Sequence, residues 1–138
     1  MSKFLISPAF IFGIFIVIFV LHILALSFGW YLSIRNFDNL HHFLGGVWAA
    51  AVFFYFLNRK PGIVDVKKSF LAALALGMSF AVFAGLLWEI FEFTFDYFFA
   101  PLGFPRAQLG LNDTMGDLFF DLLGGLVFTA AYFKSLKR

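Results

Sequence analysis

Three stretches without a single Asp, Glu, Lys or Arg, residues 4–34, 39–58 and 69–88, set the terms on which this chain can fold. Crossing a hydrocarbon core of roughly 30 Å takes about 20 helical residues, and each stretch reaches that length. At 62% hydrophobic and 13% charged, the 138 residues lie outside the composition of soluble domains. The pattern predicts one all-α domain, a polytopic bundle with transmembrane helices at about 6–32, 41–57, 69–99 and 113–133. The fourth helix is visible only if Asp117 and Asp121 are tolerated inside it. The first stretch is too long for a secretion-signal core, and no small-x-small cleavage site followed by a soluble domain appears, so it reads as a retained span.

The distribution of Lys and Arg orients the spans. Lys3 precedes the first; Arg59, Lys60, Lys67 and Lys68 lie between the second and third; Lys134, Lys137 and Arg138 follow the fourth. The other two loops hold one each, Arg35 and Arg106, a split of eight against two. Both ends of the chain are therefore expected in the cytoplasm. These cations flank spans instead of forming a patch, which excludes a nucleic-acid partner. The absence of cysteine excludes a disulfide, a thiolate metal site and a thiol nucleophile.

Of eight acidic residues, six fall at the end of the third span or the start of the fourth: Glu89, Glu92, Asp96, Asp113, Asp117 and Asp121. In the expected orientation both groups sit at the extracytoplasmic level. His41 and His42 open the second span there, Asp38 lies on the adjoining loop, and His22 lies roughly 24 Å along the first span. At 3.6 residues per turn, Ala81, Gly85, Glu89, Glu92 and Asp96 share one wedge of about 80° on the third helix, as do Asp113, Asp117, Asp121 and Gly124 on the fourth. On the second, His42 is continued by Gly46 and Ala49. Small residues mark faces where membrane helices approach closely, so the ionisable groups should point into the bundle and towards each other.

An Asp near mid-span costs about 2.5–3.5 kcal/mol on insertion scales, so Asp121 and Asp117 need a compensating partner. No Lys or Arg lies inside a span to supply it. Several carboxylates are then protonated, or Arg35 and Arg106 fold in from the loops, or a metal cation sits among them. Carboxylates with one or two imidazoles suit Zn²⁺, Mn²⁺ or Fe²⁺, and Mg²⁺ or Ca²⁺ where the imidazoles stay out. The candidate ligands are His42, Glu89, Glu92, Asp113, Asp117 and Asp121. Each has a plainer reading: Glu89 and Glu92 as a wet helix end, Asp113 as a helix cap, His41 and His42 as an interfacial pair, and His22 as a buried hydrogen-bonding group. The cap reading does not extend to Asp121, two turns deeper.

Three blocks carry a family resemblance: His42-Phe43-Leu44-Gly45-Gly46, Trp88-Glu89-Ile90-Phe91-Glu92-Phe93, and Asn112-Asp113-Thr114-Met115-Gly116-Asp117 with Asp121 and Gly124-Gly125. In that order they resemble the YjdF-like bacterial membrane proteins and, more distantly, the VanZ-like family. The resemblance implies the fold, the site and a multi-pass place in the bacterial plasma (inner) membrane, but no reaction. The spaced aspartates at 113, 117 and 121 also look like the Mg²⁺-diphosphate motif of UbiA-type prenyltransferases, which have about twice as many spans and a cytoplasm-facing site.

Three functions fit these residues. The first is a metal-dependent hydrolase acting on a membrane lipid or lipid-linked head group, with Glu89 as general base and Arg35 or Arg106 clamping a phosphate. The second is a divalent-cation or proton binding or transport protein using the same cluster. Beyond Asp121 the fourth helix offers only Thr129 as a polar step, so a through-pathway would require a homo-oligomer or a large rearrangement. The third is a non-catalytic accessory subunit whose acids pair with a partner's basic residues.

Overall fold

The computed structural model describes residues 2–59, 66 and 68–137, and among these the chain is all helix and turn. A short helix α1 (Ser2–Leu5) precedes α2 (Pro8–Phe28), whose start is set by Ser7: its hydroxyl accepts from Phe10 N at 3.1 Å, and Pro8 takes the first helical position. Gly29, at φ 66°, closes α2 in the left-handed conformation. The first span is thus shorter than the expected 6–32, because a separate turn, α3 (Trp30–Ser33), follows this break.

Asn36, at φ 61°, makes a second break, after which α4 runs Phe37–Arg59. It begins four residues before the expected 41, because Phe37 packs its ring against Trp30, Tyr31 and His41. The consequence is chemical: Asp38 lies in the first turn of the helix, not on a loop, one turn before His42. Ser69 caps α5 (Phe70–Phe99) by accepting from Ala72 N. A 3₁₀ turn at Ala100–Leu102 and an extended loop lead to α6 (Leu111–Leu136). Four of these helices are long and apolar enough to cross a membrane. At 1.5 Å per residue the 30 residues of α5 run about 45 Å, so it tilts or projects beyond a hydrocarbon core of about 30 Å. Of the basic flanks, residues 60–65 and 67, with Lys60 and Lys67 among them, and Arg138 lie outside the described residues.

Helices α4, α5 and α6 pack as a triangle, and α2 leans principally on α4. Glycine makes the close approaches. A Cβ at Gly46 would overlap the Asp121 carbonyl, and one at Gly124 would overlap Phe43 O. The bundle divides along its length. One half holds an aromatic core in which Phe54, fully buried, packs at a tilt against Tyr132 with ring centroids 4.8 Å apart, backed by Phe128 and Phe133. Leu5 and Ile6 pack on that core, which puts the α1 end of the chain beside the end of α6. The other half holds the acids.

Candidate metal centre

His42 is the hub of the acidic half. It is buried, and its two ring nitrogens face different groups. Nδ1 lies 3.0 Å from Asp121 Oδ2. With Asp121 ionised, and so only accepting, Nδ1 carries the proton and donates it. In the neutral ring that leaves Nε2 with a lone pair, and it points at three carboxylates: Asp38 Oδ1 at 4.0 Å, Glu89 Oε1 at 3.9 Å and Asp117 Oδ1 at 3.9 Å. Each comes from a different helix, α4, α5 and α6, brought together by the small residues below them. Gly85 is one of these, since a Cβ there would run into the Asp121 carboxylate.

Separations near 4 Å are too long for hydrogen bonds. Glu89 Oε1 and Asp117 Oδ1 are buried and have no hydrogen-bond partner among the described residues. A buried carboxylate oxygen left without a partner is costly. The arrangement leaves room for one cation: at bond lengths of about 2.0–2.2 Å, neighbouring tetrahedral ligands stand about 3.3–3.6 Å apart, so these donors would close in by a few tenths of an ångström around an ion. Asp38, His42 and Asp117 each offer one ligand atom, all within 4.8 Å of one another. The Asp121–His42 contact completes the pattern, because a carboxylate on the far nitrogen fixes the tautomer and ring orientation of a metal-binding histidine. The residues therefore fit a divalent cation, and the oxygen-rich donor set with one imidazole suits Zn²⁺, Mn²⁺ or Fe²⁺.

The loop between α5 and α6 closes this end. Asp96 accepts from the backbone N–H groups of Ala107 (2.8 Å) and Gln108 (3.1 Å), which holds the loop down. The Gln108 side-chain amide then donates to Glu89 Oε2 at 3.0 Å and to Thr114 Oγ1 at 2.9 Å. One oxygen of Glu89 is thus fixed while the other faces His42.

The remaining expected residues fall elsewhere. Glu92 accepts from the Trp88 indole at 2.8 Å and lines a cavity beside the cluster. Asp113 accepts from Leu109 N at 2.9 Å, a loop bond. Arg35 and Arg106 are exposed, and neither lies within 4.0 Å of a carboxylate among the described residues. Sequence reasoning left Asp38 out of the ligand set and did not find Gln108. The i, i+4 spacing of Asp38 and His42 was the available signal for the first; the second had none.

A second polar group flanks the centre. His41 Nε2 donates to Ile18 O at 3.0 Å, Tyr31 OH lies 3.2 Å from His41 Nδ1, and His22 Nδ1 lies 2.7 Å from the same hydroxyl. Tyr31 sits on α3, outside the spans. Burial, with Asp38 and Glu92 adding their charge, holds its phenol above the ordinary value, so it remains an O–H donor.

The fold and the cluster define a four-span membrane protein with a buried histidine–carboxylate centre at one end of its bundle. The chain belongs to the family described as predicted membrane protein (DUF2238), which it matches over residues 1–138. It is 37% identical over 108 residues to an uncharacterised protein of Thermotoga maritima, a match covering 78% of this chain and 53% of that one. The chain thus spans about half the length of this curated relative. No solved structure matches it.

Proposed function

We propose that this protein is a membrane metalloenzyme that binds a divalent cation through Asp38, His42 and Asp117 at the extracytoplasmic end of its bundle. Its reaction is hydrolysis of a lipid or lipid-linked head group. The observation that carries the reading is the pair of buried carboxylate oxygens, Glu89 Oε1 and Asp117 Oδ1, without hydrogen-bond partners among the described residues and each 3.9 Å from Nε2 of an imidazole whose Nδ1 is held by Asp121. A divalent cation supplies Lewis-acid activation of water in such a site. Glu89 takes the proton at Oε1, with Oε2 held by Gln108. Asp121 orients His42 instead of serving as a ligand. Membership of the DUF2238 family agrees with the YjdF-like resemblance of the three sequence blocks.

Ion transport through the monomer is disfavoured. Below Asp121 the bundle is filled by Phe54, Phe128 and Tyr132, and no carboxylate or imidazole lies among these residues.

Metal analysis of detergent-purified protein tests the proposal. Wild type is expected to carry bound divalent metal, and Asp117→Asn and His42→Ala to lose it. Glu89→Gln should keep metal but lose turnover of phospholipid or polyprenyl-phosphate substrates. Metal-free wild type from metal-replete cells would overturn the reading in favour of an accessory subunit. Metal without turnover on either substrate class would leave an ion-binding protein.

A further inference from the structure

Between α2, α4 and α5 lies a cavity of about 250 Å³, because α2 leans on α4 and leaves a gap towards α5. One end of its wall is acidic and adjoins the centre, through Asp38, His42 and Asp121. The rest is aromatic and apolar, with Phe15, Phe19, Trp48 and Trp88 among its residues. Phe15, Phe19 and Trp88 are also 44%, 52% and 42% exposed on the outside of the bundle. A wall that is at once cavity lining and lipid-facing surface admits a ligand sideways from the bilayer.

His22 stands on this wall, and its tautomer is set by its neighbours. Ile18 O can only accept, so His41 Nε2 bears a proton and, in the neutral ring, His41 Nδ1 accepts from the Tyr31 hydroxyl. The Tyr31 oxygen then accepts from His22 Nδ1–H. His22 Nε2 is left as a lone-pair acceptor with no protein partner among the described residues. Trp48 contributes its ring to the same wall; its indole N–H is buried and has no acceptor among the described residues. Away from the acidic end, the cavity thus offers His22 Nε2 as an unmet acceptor beside aromatic and apolar side chains.

We propose that this cavity seats a single hydrocarbon chain of a membrane lipid bearing a free hydroxyl near its ester, with His22 Nε2 accepting from that hydroxyl. A volume of about 250 Å³, below the roughly 300–1,000 Å³ of drug-sized pockets, holds about half of one long chain, the rest lying in the lipid that Phe15, Phe19 and Trp88 face. The inference deepens the proposed function by naming the substrate class. It rests on that reading for catalysis and stands apart from it for binding.

The test uses a dibrominated stearoyl monoglyceride, with the methyl ester of the same acid as the hydroxyl-free control. Bromine quenches tryptophan on contact, and Trp48 and Trp88 line the site. Wild type in detergent is expected to show saturable quenching, with the monoglyceride binding about five- to tenfold more tightly than the methyl ester, the worth of one buried hydrogen bond. His22→Phe keeps the ring and removes the acceptor, so it should erase that preference while leaving methyl-ester binding and metal content as in wild type. Ala84→Phe, which fills the cavity, should abolish saturable quenching by both probes. Absence of saturable quenching in wild type, or equal affinity of wild type for the two probes, overturns the proposal without any variant having to fold. Loss of the preference together with the metal in His22→Phe overturns it as well, by making His22 part of the centre. Metal-free wild type that still prefers the monoglyceride would sink the metal reading and leave this one standing.

Discussion

The Nδ1 of His42 and Oδ2 of Asp121 stand 3.0 Å apart across the seam between α4 and α6, and this contact decides which nitrogen faces the other acids. Asp121→Asn keeps the size of the side chain but can offer an N–H to Nδ1, favouring the tautomer that places the proton on Nε2. Affinity for the divalent cation is expected to fall about 10- to 100-fold, read by competition with a chelator. Unchanged affinity would show that Asp121 does not orient the ring.

Gly85 should be intolerant of even one methyl group. Its Cβ would overlap the Asp121 carboxylate, whereas a Cβ at Gly13 on α2 meets nothing within 4 Å. Gly85→Ala is expected to cost about 1–3 kcal/mol in unfolding from detergent, as over-packing does elsewhere. Gly13→Ala should be neutral or slightly stabilising, since alanine is the better helix former. Equal behaviour of the two would contradict the close packing described.

Asp96 serves the loop in this structure. With Asp96→Ala, the Ala107 and Gln108 amides lose an ionised acceptor worth roughly 1.5–3 kcal/mol per bond. Their hydrogen exchange should accelerate at least about tenfold, while amides in the middle of α4 keep their protection. Unaltered exchange at Ala107 and Gln108 would mean that the loop is held by other contacts.

Orientation can be read by thiol labelling, because the chain has no cysteine of its own. Arg106→Cys, on the exposed α5–α6 loop, is expected to react with a membrane-impermeant maleimide in intact cells. Lys134→Cys, exposed near the end of α6, should react only after permeabilisation. The reverse pattern would invert the bundle and move the acidic end to the cytoplasm.

Three of the four spans were legible because charge-free length is a one-dimensional signal that lipid enforces, and the fourth only by admitting Asp117 and Asp121 inside it. So was the gathering of His42, Glu89, Asp117 and Asp121 at one end, because helical periodicity placed each on a small-residue face before any packing was known. Asp38 was not legible as a cluster member. Its helix starts early on account of ring contacts made by Phe37 with Trp30 and Tyr31, and contacts between elements leave no local mark. The roles of Asp96, Gln108 and Asp113 depend on how the loop at 103–110 folds back, and Gly103 and Gly110, both at positive φ, leave its path open in the sequence. The break at Gly29 was masked because residues 23–32 carry no charge and are mostly apolar.

The ring cluster of Phe54, Phe128 and Tyr132 has a bearing on the cell as well as on the fold. An acid-lined hollow open at both faces would short-circuit any proton gradient held across the bilayer. With aromatic rings stoppering one half, the hollow is a blind well. On the function proposed above, an ion would reach the acids from that one end only, and the other half would stay sealed by Phe and Tyr rings.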